Sequence, residues 1–79
     1  MLIKIQYFSL LRDLNGPDSV EMPEGSTIAD LLKMLCDDVP GLESWNQRLL
    51  IAAGTEWVPK GYIVRRGDVI SLMPPVQGG

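Results

Sequence analysis

The last two residues of this 79-residue chain, Gly78-Gly79, form its most chemically suggestive pattern. Average glycine usage is about 7%, so two adjacent glycines at a chosen end arise by composition in about 0.5% of chains. Neither glycine has a Cβ, so an extended backbone and its carboxylate can thread a channel too narrow for any other residue pair. The carboxylate is then the reactive group. Pro74-Pro75-Val76-Gln77 lead into it. The two prolines cannot donate ladder hydrogen bonds and hold the base of the tail extended, which lowers the ordering entropy lost on insertion. Fully extended, the six residues from Pro74 span at most about 20 Å, enough to leave one globular body and end inside another. The expected site is therefore the Gly79 carboxylate with Gly78, and Pro74, Pro75, Val76 and Gln77 are expected to lie along a partner's channel.

The rest of the chain is poor in catalytic groups. It has no histidine and a single cysteine, Cys36, which rules out an internal disulfide, a Cys/His zinc site and any Cys-His or Ser-His-Asp nucleophile. No cofactor or metal is expected on this chain, and neither is ordinary hydrolase chemistry. Cys36 falls on the apolar stripe of a helix and is expected to act as a small buried hydrophobe. Trp45 and Trp57 are each open to a core or a partner-anchoring reading. Lys60, Arg65 and Arg66 read as solvated turn residues, and Asp37-Asp38 as exposed. A net charge of −3 and a pI near 4.6 argue against nucleic acid or an anionic membrane and favour a basic protein face. The start of the chain alternates in polarity, unlike a signal peptide, and no apolar run reaches membrane-spanning length. A reduced, cytoplasmic setting is expected.

These features need a body to present the tail, and the hydrophobic periodicities predict one domain over residues 1–73 with an extended tail over 74–79. Ile3, Ile5 and Tyr7 alternate with Lys4 and Gln6 as in a half-buried strand. Leu10, Leu11 and Leu14 suit one helical turn before Asn15-Gly16-Pro17-Asp18 bends the chain. A second strand is expected at 19–22. Thr27 and Asp30 form a capping box, and Ile28, Leu31, Leu32, Leu35 and Cys36 recur at helical spacing until Pro40-Gly41 stops the helix. A polar connector over 41–48 leads to a strand over 49–53, Gly54-Thr55-Glu56 turns the chain into Trp57-Val58, and a last strand runs from Val69 to Met73. Apolar residues on both sides of that strand place it centrally or against a partner. The order predicts an α+β fold, a mixed sheet of four to five strands with one main helix packed on one face.

Tail, element order and length together resemble the ubiquitin-like sulfur carriers of β-grasp fold, and most closely the small subunits of molybdopterin synthase. The run from Ile5 to Asp13 looks like that family's first strand entering a short helix. Gly67-Asp68 followed by Pro74-Pro75-Val76-Gln77-Gly78-Gly79 looks like its closing pattern. The chain departs from the family at Ala52-Ala53-Gly54 and at Val69-Ile70, both away from the tail. The resemblance implies that an ATP-dependent adenylating enzyme of the ubiquitin-activating type converts the Gly79 carboxylate to an acyl-adenylate, and that a sulfur donor acting through that partner replaces AMP to leave a thiocarboxylate. It further implies a non-catalytic subunit that hands sulfur to a cyclic pyranopterin phosphate inside a large subunit, in a complex of two small and two large chains. Shared activation chemistry leaves open a ubiquitin-like modifier joined to lysines and a sulfur carrier for another acceptor such as a thiazole precursor or tRNA, and a third alternative, of another class, is a passive interaction domain with an inert tail.

Overall fold

In the computed structural model, residues 1–75 are described. Val76, Gln77, Gly78 and Gly79 lie outside the described residues. The expected alternation holds in strand β1 (Leu2–Tyr7), where Ile3 and Ile5 are buried and Leu2, Lys4 and Gln6 face the other way. Its parallel partner is β5 (Val69–Met73), in register Ile5 with Ile70 and Tyr7 with Leu72. Antiparallel neighbours flank this pair: β2 (Ser19–Glu21) on β1, and β3 (Leu50–Ala53) on β5, with the two-residue β4 (Glu56–Trp57) completing a hairpin on β3. The sheet order is β2-β1-β5-β3-β4. The last strand is therefore central, one of the two placements its apolar sides allowed.

Helix α1 (Ile28–Asp38) begins at the predicted capping box. The Asp30 N–H donates to Thr27 Oγ1 at 3.2 Å, and the Thr27 N–H donates to Asp30 Oδ2 at 3.0 Å. Reciprocal caps of this kind satisfy two amides that would otherwise lack partners in the first turn. The helix lays Ile28, Leu31, Leu32 and Leu35 on one face of the sheet, where they share a single core with Ile3, Ile5, Ile51, Ile70 and Leu72. It ends at Asp38, capped by Val39, just before Pro40-Gly41, where Gly41 adopts a φ of +93° that favours glycine. One helix across one face of a mixed sheet is the β-grasp arrangement expected from the sequence.

Several local expectations shift. The second strand ends at Glu21 because Pro23 follows so closely, although the Met22 N–H still donates to the Met1 carbonyl. The third strand starts at Leu50 rather than Leu49. The turn after it is tighter, so Glu56 already pairs with Ala53. The Leu10-Leu11-Leu14 turn is a 3-10 helix over Ser9–Leu14 with Leu11 fully buried. The polar connector after α1 contains a second 3-10 helix, Glu43–Arg48, preceded by the buried Leu42. Ile63, between β4 and β5, makes an isolated antiparallel bridge to Thr27.

Gly16 has a steric reason. A Cβ there would collide with the Tyr7 hydroxyl, which donates to the Pro17 carbonyl at 2.9 Å and so ties the first bend to β1. Burial, with Asp18 nearby, pushes the Tyr7 phenol up to about 12.

Candidate functional site

The uncovered face of the sheet is set by strand pairing. Gln6, Ser71, Ala52 and Trp57 stand opposite one another across β1, β5, β3 and β4, and Met73 stands opposite Leu50 in the next row. Small residues occupy the middle, and Ser71 donates its hydroxyl to Gln6 Oε1 at 3.2 Å. Toward the C-terminal end of β5 the face turns apolar. Phe8, Leu10, Trp45, Leu50, Trp57 and Met73 surround a groove of about 530 Å³, and Pro74 and Pro75 form one of its walls. Trp57 is 65% exposed and Leu10 60%. A domain this small gains nothing for its own core by leaving such side chains in water, and a contiguous apolar surface of this kind is characteristic of interaction sites.

Three segments build the groove. The Phe8 N–H donates to the Leu72 carbonyl at 3.1 Å, which carries β1's pairing one residue past the strand. Trp45 comes from the 3-10 helix after α1. There Arg48 lies 5.0 Å from the centroid of its ring and donates to the Ser44 carbonyl at 3.0 Å, pinning the indole from outside. Leu50 and Trp57 come from the β3–β4 hairpin. The two tryptophans therefore divide the roles left open by sequence: Trp45 is half-buried as a groove wall, and Trp57 is exposed on the edge strand.

Of the residues singled out for the tail, Pro74 and Pro75 are half-buried at the groove. Val76, Gln77, Gly78 and Gly79 fall outside the described residues. Sequence reading missed Phe8, Leu10 and Leu50 as surface groups. Outward positions at the ends of β1 and β3 carried the signal, but it emerges only once the strands are paired.

Cys36 corrects an expectation. The thiol is partly exposed rather than fully buried, because Cys36 lies one residue round the helix from Leu35, at the margin of a stripe whose centre continues to the buried Val39. It lines a hollow of about 380 Å³ with Lys33, Asp37, Glu43, Asn46 and Lys60. Desolvation, hydrogen bonding to Glu43 and the charges of Glu43 and Asp37 push it up to about 11, against the opposing pull of Lys60. A thiol so protonated is a poor nucleophile at neutral pH, so the structural reading survives although the full burial does not.

The basic candidates stay outside the groove. Arg66 makes an exposed 4.0 Å pair with Glu24. The Arg65 N–H and the Tyr62 hydroxyl both donate to Asp68 Oδ2 at 2.9 Å, which closes the turn before β5. That bond to Asp68, more than burial, raises the Tyr62 phenol. Among the described residues no group of three or more His, Cys, Asp or Glu is placed to hold a metal, and no helix is long and apolar enough to cross a membrane.

Comparison with known proteins agrees with this geometry. The molybdopterin synthase sulfur carrier subunit of Arabidopsis thaliana is 34% identical over 79 residues, covering 98% of this chain and 82% of the relative. The crystal structure of SAMP1 from Haloferax volcanii superposes with a TM-score of 0.85 at 25% identity over the full length of both chains. A chain from the complex of subunits 1 and 2 of molybdopterin-converting factor from Helicobacter pylori shares the fold, with a TM-score of 0.68 at 24% identity over the full length of both. The ThiS family matches residues 5–79, from the middle of β1 through the final glycine. With a match that spans both the sheet and the tail leaving it, this chain belongs to the ThiS family.

Proposed function

We propose that the chain is the sulfur-carrying small subunit of a molybdopterin synthase, with Gly79 as the carrying residue. One observation carries the reading: the apolar outer face runs up to the root of the tail, and Pro74-Pro75 form its wall. A protein seated on Trp57, Leu10 and Met73 therefore also receives the tail. The Arabidopsis relative bears the name of that carrier, and the Helicobacter chain of the same fold was solved with a second subunit.

The chemistry divides between this chain and its partners. An adenylating enzyme joins the Gly79 carboxylate to the α-phosphate of ATP and releases pyrophosphate. Sulfur delivered at the sulfide level then attacks the acyl carbon, a C–S bond forms, and AMP leaves. The resulting thiocarboxylate enters the large subunit and gives its sulfur to a cyclic pyranopterin phosphate, two carriers serving each dithiolene, in a complex of two small and two large chains. This chain supplies reach and shape. Gly78 and Gly79 keep the end slim, and the acid–base groups belong to the partner.

Intact mass of the protein recovered from cells with and without the activating enzyme tests the reading. The expected result is replacement of one oxygen by sulfur only when that enzyme is present, and its complete loss, with unfolding unchanged, on deletion of Gly79. Normal thiocarboxylation and product formation by the deletion variant sink the proposal. Isopeptide-linked ladders in place of a thiocarboxylate favour a protein modifier instead.

A further inference from the structure

Among the described residues only two non-glycine positions have a positive φ, and they bracket one segment: Ser9 at +57° and Asn15 at +56°, at either end of the 3-10 helix Ser9–Leu14. Asn15 needs no special account, since asparagine tolerates the left-handed region and commonly ends helical turns. Ser9 is different. Serine is not a residue that favours this region, and the start of the 3-10 segment has no side-chain cap to offset the strain. A non-glycine residue held in a sparsely populated backbone region persists because its surroundings impose it.

The surroundings are on either side. Phe8 is fixed by its N–H bond to the Leu72 carbonyl at 3.1 Å, and Leu11 by full burial in the core and an N–H bond to the Phe8 carbonyl at 3.1 Å. Between a strand residue that cannot leave the ladder and a leucine that cannot leave the core, the chain must reverse in two residues. Ser9 makes the reversal in the left-handed region, and the result is that Leu10 stands exposed at the groove, which it lines together with Phe8, Pro74 and Pro75. The fold itself gains nothing from exposing Leu10. An extended or right-handed Ser9 would direct the chain elsewhere and take Leu10 away from the groove.

We propose that Ser9 is a positioning residue for partner docking: its left-handed backbone sets Leu10 and Phe8 as one side of the groove that receives the partner. The proposal rests on the docking reading given above and adds to it the residue that shapes that side. Ser9 acts through its neighbours and needs no contact of its own. Residues able to adopt a positive φ at position 9 therefore preserve docking whatever their side chain, and β-branched residues, which resist it, lose docking.

The test titrates the full chain against the large subunit of molybdopterin synthase from the same organism, with thermal unfolding measured in parallel. Ser9→Gly and Ser9→Asn are expected to bind within about twofold of wild type, and Ser9→Val at least about tenfold more weakly at a temperature where it remains folded. Leu10→Ala, at an exposed position, is expected to keep the unfolding midpoint and lose binding to a similar degree. A purely structural Ser9 would shift the midpoint without altering the affinity of the folded protein. Wild-type affinity in folded Ser9→Val overturns the proposal, and if that variant does not fold, wild-type affinity in Leu10→Ala overturns it instead. Absence of binding by the wild-type chain brings down the docking reading itself, and the proposal with it.

Discussion

The two faces of the sheet use the same residue types for opposite ends. On the inner face Ile3, Ile70 and Leu72 are completely shielded by α1, and their burial holds the domain together. On the outer face Leu10, Leu50 and Trp57 remain in water around the root of the tail. The inner set is saturated with partners from its own chain, whereas the outer set stays exposed and, in the proposed reading, is completed by another protein. Apolar character alone therefore does not tell folding from recognition. Strand parity does, because a shift of one residue exchanges the faces.

The contrast breaks most sharply on the inner side. Leu35→Ala should lower unfolding free energy by about 2–5 kcal/mol, the cost of a cavity in a packed core, measured by urea denaturation. Since a single core in so small a domain supplies only about 3–5 kcal/mol, this variant should be largely unfolded at 37 °C. A loss below about 1 kcal/mol would mean that α1 is not the principal lid of the sheet. Trp57→Ala should do the reverse: affinity for the large subunit falls by about 2 kcal/mol or more, as for an aromatic anchor, while stability stays nearly constant. Calorimetric titration beside a melt separates the two effects, and a melt shifted as much as the affinity would merge the faces into one function. Thr27→Ala removes one half of the capping box and should cost about 1 kcal/mol of stability with docking untouched.

The smallest effect is a slope with pH. Both Cys36 and Tyr7 hold their protons more tightly in the folded state, up to about 11 and about 12 against ordinary values of 9.0 and 10.0. Their contribution is therefore fully present below pH 9 and is lost as pH rises through 11 and 12, because the unfolded chain ionises first. Melting points measured from pH 8 to 11 should fall, and Cys36→Ala should flatten the first part of the decline. A melt rising over that range would contradict the assigned environments.

Much of the inner face was legible in the chain itself. The capping box at Thr27 and Asp30 and the periodicity of Ile28, Leu31, Leu32 and Leu35 are local signals, and the bounds of β5 lie between a Gly-Asp turn and two prolines. The outer groove was not legible. Phe8, Trp45, Leu50 and Pro74 are distant in sequence, and they meet only because β1 and β5 lie parallel with some sixty residues between them. The 3-10 helix Glu43–Arg48 was missed for a different reason. It is polar on most sides, so no period marks it, and it buries itself through Leu42 just ahead of its start. Cys36 misled because helical spacing gives the stripe's direction but not its width, and Cys36 lies at its margin while Leu35 and Val39 hold its centre.

The parallel pairing of β1 and β5 has a mechanical consequence. The strand that leads into the tail is flanked on both sides, and its partner β1 starts at the opposite end of the molecule. A force applied to the tail would therefore load the β1–β5 ladder in shear, sharing the pull among its rungs, instead of peeling them apart one at a time. An enzyme tugging on the chain end would be hauling on the best-anchored thread in the fabric.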